Sequence, residues 1–398
     1  MTKRLLLIAG LLLLFLGEIL NVYFIMPFPG SQRSDTIDTA YFLHNNLWWI
    51  RCIGLALIAI PLYSIFTKSK TRLKIIVTVA LLLYGVIFYL FNFRFLADKM
   101  FYQPKQKQMA TVIKNAVDED KLVLGIRING EAKAYPIVQI GYHHQVKDTI
   151  GGEPVMVTYC TVCRTGRVFS PFIKGQYQQF RLVGMDHFNA MFEDENTKSW
   201  WRQATGEAIA GPQKGNVLNE LPSEQMELQA WIRKYPDTKI LQPDSSFTKK
   251  YEKLEDFDMG TIDSDLEKRD SASWQFKSWV VGVLINAKAK AYDWNDLLQQ
   301  KLINDSLNAV PLVLVVEKDS ASFHAWNRTI NGRVLDFVVN ENEDIIKDIN
   351  TGSSWNMDGL CIEGELKGQQ LAVVPAYQEF WHSWQQFRPV TTKYLAGK

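Results

Sequence analysis

The chain has 398 residues, with 44 Lys and Arg against 42 Asp and Glu and a formal net charge of +2 spread along its length. That length accommodates two or three domains. The charge balance offers no basic block for nucleic acid and no acidic arm, and four cysteines are too few for a disulfide scaffold.

Residues 1–100 read as a membrane anchor of three helices. The first apolar run, about 5–26 ("LLLIAGLLLLFLGEILNVYFIM"), carries one charge, Glu18. It suffices to cross a hydrocarbon layer of about 30 Å, and no small-residue cleavage site follows it. The second run, 47–66, opens on Trp48 and Trp49 and carries Arg51, and the third, 75–91, ends on the interfacial aromatics Tyr89 and Phe91. Glu18 and Arg51 could form a functional pair, but charges this close to helix ends are expected to snorkel to the interface. Lys3 and Arg4 precede the first run, and Lys68, Lys70, Arg72 and Lys74 fill the second loop, whereas the first loop holds only Arg33. The positive-inside rule then places the N-terminus in the cytoplasm and the region after residue 95 outside, although Arg94, Lys99, Lys105 and Lys107 pull weakly the other way.

The remainder is an internal duplication. "VLGIRINGEAKAYP" at 123–136 returns as "VVGVLINAKAKAYD" at 280–293, pairing Gly125 with Gly282, Lys133 with Lys290 and Tyr135 with Tyr292 at an offset of 157. The same offset pairs Asp148 with Asp305; later it becomes 153, pairing Pro222 with Pro375 and Trp231 with Trp384. Two homologous units follow, 105–242 and 274–396, joined by a charged linker at 243–273. Each reads as β-rich α+β. Alternating strands flank Asn129-Gly130, a hairpin signal. "VQIGYHHQV" is a short helix, "PVMVTY" a buried strand, and "SEQMELQAWIRKY" an amphipathic helix capped by Ser223.

"VTYCTVCRTGRVF" places Cys160 and Cys163 in a C-x-x-C pair, and the duplication supplies an internal control. At the matching positions the second unit has Glu317 and Ser320, and opposite His143 and His144 it has Gln300 and Lys301. The fold is therefore built once without either pair, which argues against a packing role. Two chemistries stay open. In a redox pair, Arg164 and Arg167 would lower a thiol pKa, with His143 as acid/base. In a metal module, copper or zinc would take Cys160 and Cys163 with His143, His144 or His187. "DHFNAMFEDENTKSWWRQ" (186–203) either lines a cleft or is a turn packed by its two tryptophans. Cys52 and Cys361 read as inert. No P-loop, G-x-S-x-G, H-E-x-x-H or G-x-G-x-x-G is present.

The run from "AYPIVQIGYHHQVKDTIGGEPVMVTYCTVCRTGRVF" to "MFEDENTKSWWRQATGEAIAGPQKG" resembles the domain-of-unknown-function 3179 family of bacteria and archaea. That family includes selenoproteins with selenocysteine at a C-x-x-C cysteine. The resemblance implies redox chemistry at Cys160 and Cys163, with His143, Trp201 and Gln203 matching further family positions. It departs at Thr161-Val162, where proline is frequent, and at His144, where an acidic residue is common. The expectation is a thiol-redox protein anchored in the inner membrane of a prokaryote, acting outside the cytoplasm on a disulfide or peroxide. The rivals are the metal module and a structural or interaction subunit of a membrane complex. The bilayer is the expected partner, together with a redox or membrane-protein partner, and nucleic acid is not.

Overall fold

The computed structural model describes residues 2–339 and 344–396. Three helices, α1 (Thr2–Tyr23), α2 (Ile37–Lys68) and α3 (Thr71–Phe93), are each long and apolar enough to cross a membrane. Their polar residues do not snorkel. Arg51 donates from Nε and Nη2 to the two oxygens of Glu18, both at 2.7 Å, and Asn92 and Tyr84 of α3 hydrogen-bond the same carboxylate at 2.8 and 3.1 Å. A fork-to-carboxylate pair neutralises both charges and satisfies their donors where water is scarce. The expectation that Glu18 and Arg51 act as lone charges is thus corrected.

The soluble region begins with β1 (Met109–Thr111), β2 (Leu122–Ile128), β3 (Glu131–Pro136), α4 (Ile137–His143), β4 (Gln145–Ile150), β5 (Glu153–Cys160) and β6 (Thr165–Phe169). There follow β7 (Phe180–Asp186), β8 (Asn189–Asp194), β9 (Trp200–Arg202), β10 (Ala208–Ala210), β11 (Glu224–Glu227), α5 (Leu228–Lys234) and β12 (Lys239–Leu241). The series then recurs as β13 (Trp279–Ile285), β14 (Lys288–Asp293), α6 (Trp294–Gln300), β15 (Leu302–Leu307), β16 (Val310–Val316) and β17 (Phe323–Asn327). It closes with β18 (Phe337–Val339), β19 (Ile345–Asp348), β20 (Ser354–Asn356), β21 (Cys361–Glu363), β22 (Ala376–Phe380), α7 (Trp381–Phe387) and β23 (Thr392–Lys393). The architecture is mixed α+β, with many small sheets.

The repeated residues make repeated contacts. β11 pairs antiparallel with β2 as β22 does with β13, and β12 runs parallel to β3 as β23 does to β14. A Cβ at Gly125 would lie 2.3 Å from the Trp231 ring, and one at Gly282 would lie 2.3 Å from Trp384. Each glycine is therefore the seat of its own unit's tryptophan. Tyr135 donates to Asp148 at 2.6 Å, and Tyr292 to Asp305 at 2.8 Å. One sequence reading is corrected: Glu224–Glu227 is a strand, since it completes the edge of the sheet beside β2, and the helix starts only at Leu228. The stretch 243–273 is also more than a tether, because Phe247, Tyr251 and Phe257 are buried.

The chain divides into two compact units. One holds the residues up to Tyr102 with Ile173–Arg202 and Gly206–Val217; the other holds Gln103–Phe172, Gln203–Thr205 and Leu218–Lys398. Within the first, the polar start of α2 meets the β7–β10 sheet. Tyr41 and His44 stand edge-on to Trp200 with ring centres 5.1 and 5.4 Å apart, and the Met185 amide donates to the Ile25 carbonyl at 2.7 Å. Within the second, the loops 160–163 and 317–322 make reciprocal contacts. The Phe380 amide donates to the Cys163 carbonyl at 3.0 Å, and the Glu227 amide donates to Ser322 Oγ at 2.9 Å. Phe380 and Glu227 are equivalent at the 153-residue offset. Gln225 Nε2 donates to its own equivalent, Gln378 Oε1, at 3.0 Å.

Candidate functional site

Cys160 ends β5, and Cys163 lies in the turn that leads into β6. Arg164 closes this turn in the left-handed region, at φ +53°. Gln203 braces the hairpin from beneath, donating to Thr158 Oγ1 at 3.1 Å and to the Thr165 carbonyl at 3.0 Å. Both cysteines are fully buried thiols, and their side chains hydrogen-bond each other.

The second repeat supplies the rest of the site. α7 brings His382 Nε2 to 3.9 Å from Cys163 Sγ, and the adjacent Ser383 hydroxyl donates to Glu379 Oε2 at 3.0 Å. The other ring nitrogen of His382, Nδ1, lies 3.0 Å from the Phe276 carbonyl oxygen. A carbonyl only accepts, so Nδ1 carries the proton and Nε2 presents a lone pair to the thiol. Lys277 Nζ donates to the Val162 carbonyl at 2.6 Å, inside the C-x-x-C turn, and to the Leu266 carbonyl at 2.5 Å.

Burial dominates the electrostatics. It pushes the Cys163 thiol well above its ordinary value, and the neighbouring Cys160 adds to the rise while Lys277 and Ser383 oppose it. Burial also brings Lys277 down to about 8 and His382 down to about 3, the latter helped by the Lys277 charge. At neutral pH the site therefore holds a protonated thiol, a neutral imidazole whose Nε2 lone pair faces it, and a cation able to balance a thiolate there.

The residues singled out from sequence are dispersed. Arg164 is fully buried, but its guanidinium stacks 3.7 Å over Trp279 and donates to Gln378 Oε1 at 2.8 Å and to the Phe257 carbonyl at 3.1 Å. Arg167 lies 3.6 Å over Tyr377 and pairs with the buried Glu379. The cation acting on Cys163 is thus Lys277, and the expectation that the two arginines lower the thiol pKa is corrected. His143 Nε2 lies 2.7 Å from the Tyr251 hydroxyl in a cage completed by Tyr142 and Phe247. His144 ends α4 in the left-handed conformation, as Lys301 ends α6. Its burial lowers its pKa to about 4.

His187 belongs to the other unit, where Nδ1 lies 2.7 Å from Asp186. Among the described residues no group of three or more His, Cys, Asp or Glu side chains is arranged to hold a metal ion. The 186–203 stretch is mostly the antiparallel pair β8 and β9 with a tight turn between them, both tryptophans lying on β9. Asp194 accepts from the Thr197 amide at 2.6 Å and from Trp201 Nε1 at 2.9 Å, and Asp348 repeats the arrangement with Thr351 and Trp355. Cys361 donates to the Glu363 carbonyl at 3.4 Å, and Cys52 sits half-buried in α2.

His382, Ser383 and Lys277 escape a reading centred on the first unit, because they stand more than 100 positions from the cysteines. A usable signal was present. At the 153-residue offset, His382, Glu379 and Ser383 stand where the first unit has Gln229, Met226 and Ala230. The same duplication that marks the cysteines as additions to one copy marks these three as additions to the other.

With this geometry in place, residues 102–391 match the model of a family described as "Protein of unknown function (DUF3179)". The chain belongs to this family. The matched stretch contains the first repeat, the second as far as residue 391 and every residue named around Cys163, and it leaves the three membrane-capable helices outside. No curated protein and no solved structure matches the chain.

Proposed function

We propose that this chain is a membrane-anchored thiol-redox protein, with Cys163 as the attacking thiol and Cys160 as the resolving one. The observation that carries the reading is the lone pair of His382 Nε2, set 3.9 Å from Cys163 Sγ and oriented by the Phe276 carbonyl. Cys163 gives its proton to Nε2, and the thiolate attacks one sulfur of a substrate disulfide. The substrate S–S bond breaks, and the departing sulfur takes the proton from His382. Cys160 then loses its proton and attacks Cys163 in the mixed disulfide, releasing the second substrate sulfur as a thiol. The balance is one disulfide reduced to two thiols and one Cys160–Cys163 disulfide formed, a two-electron exchange. A peroxide would enter the same scheme through a sulfenic acid on Cys163, its O–O bond breaking to release an alcohol or water, with a further water leaving when Cys160 closes the disulfide.

His382 takes the acid/base role first assigned to His143, and Lys277 balances the thiolate. The positively charged N-terminus and second loop support a location of the repeats outside the cytoplasm, where a dithiol meets disulfide chemistry. The test uses the full chain in detergent with oxidised glutathione. Cys163→Ser is expected to abolish glutathione release, and Cys160→Ser to stop at a mixed disulfide. Undiminished release by Cys163→Ser would overturn the assignment.

A further inference from the structure

His382 connects the buried thiol to the surface. One side of its ring is near Cys163, and the same residue lines a surface groove of about 680 Å3 with Trp274, Phe276 and Trp381. This volume falls in the range of sites that hold a drug-sized molecule or a short peptide. The Phe276 ring lies flat on the His382 imidazole, with centres 4.2 Å apart and planes at 16°, yet Phe276 is 57% exposed. Trp274 and Trp381 meet edge to face at 5.1 Å, and Lys393 Nζ sits 4.5 and 4.7 Å from the two rings.

Trp274 is held at φ +62°, a left-handed conformation that a bulky side chain rarely adopts. Such strain persists where the surrounding structure imposes it, and it gathers at binding sites. The rest of the lining is Gln275, Gln385, Gln386 and Pro389, so among the described residues no carboxylate lines the groove. Aromatic faces select apolar side chains, and amide side chains match peptide N–H and C=O groups.

We infer that this groove docks an extended, uncharged peptide segment with aromatic or aliphatic residues flanking a cysteine in disulfide linkage, delivering that sulfur past His382 to Cys163. The inference rests on the thiol-redox reading and names its substrate class.

The test separates docking from chemistry. Full-length protein in detergent is titrated with a dye-labelled, redox-inert peptide, acetyl-Phe-Val-Ser-Leu-Phe-amide, and binding is read by fluorescence anisotropy. Phe276→Ala removes an exposed aromatic face, and Gln385→Glu places a charge at an exposed groove position. Each is expected to weaken binding about tenfold or more. Affinities unchanged in both variants, or no binding by the unaltered protein, would overturn the inference. Oxidised glutathione turnover by the unaltered protein is measured in parallel. Turnover without peptide binding removes the groove assignment and leaves the redox reading standing; peptide binding without turnover of either glutathione or the cysteine-containing peptide disulfide removes the redox reading and its substrate together.

Discussion

Replacing His382 with Asn isolates proton transfer from architecture. The Asn Nδ2 group can still donate to the Phe276 carbonyl, which His382 Nδ1 approaches at 3.0 Å, but nothing remains to accept the Cys163 proton at the position of Nε2. The size of the effect follows from the thiol. At the ordinary cysteine value of 9.0, about one thiol in a hundred is ionised at pH 7, and burial raises Cys163 well above that value. Without a local acceptor the thiolate must form at that unfavourable equilibrium. General-base assistance of this kind contributes about 10²–10⁴-fold, so the variant should react at least about 100-fold more slowly at pH 7. The rate is read by stopped-flow oxidation of the full-length protein with oxidised glutathione between pH 6 and 9. In the variant it should climb with pH as hydroxide replaces the missing base. The unaltered protein should have no inflection near 6.5, because His382 is neutral down to about 3. Equal rates for the two proteins across this range would refute His382 as the base.

Acid should loosen the fold through the same residue. His382 has a folded pKa of about 3 against an ordinary 6.5, so its contribution is complete above 6.5 and is lost progressively as pH falls towards 3. The slope approaches about 1.4 kcal/mol per pH unit. His382→Asn should flatten the thermal-melting curve in that window, and an unchanged curve would contradict this. Glu18→Gln leaves Arg51 without its carboxylate among the helices, which should cost about 3–5 kcal/mol; the check is the melting temperature of the detergent-solubilised chain. Gly125→Ala and Gly282→Ala each drive a methyl group to 2.3 Å from a tryptophan ring and should each destabilise by about 1–3 kcal/mol. Thermal denaturation of the two variants compares the equivalent sites directly.

Much of the fold was legible because its signals are local or repeated. The apolar runs at 5–26, 47–66 and 75–91 fall within α1, α2 and α3, apart from the end of the first, since α1 stops at Tyr23. α2 begins ten positions before the second run. Its polar start, from Ile37, is held by Tyr41 and His44 against Trp200, contacts that hydropathy does not register. Glu224–Glu227 carries a helical pattern but is captured as a strand by the edge of β2, a tertiary override of a local preference.

At the site, the cysteines were legible and their partners were not. Arg164 and Arg167 stand beside the thiols in sequence, but aromatic rings and buried acceptors elsewhere hold their guanidinium groups. Lys277 and His382 arrive through docking of one repeat on the other, a relation that spacing along the chain does not encode. Comparing the two copies, read from the second back to the first, singles out His382 but not Lys277.

The most direct test of the central claim is a redox titration of the full-length protein, with free thiols alkylated at each potential and the products mapped by mass. A single two-electron transition confined to Cys160 and Cys163, with Cys52 and Cys361 alkylated throughout, is the predicted result. Cys160 and Cys163 remaining alkylatable at every potential, with no disulfide between them, would contradict it.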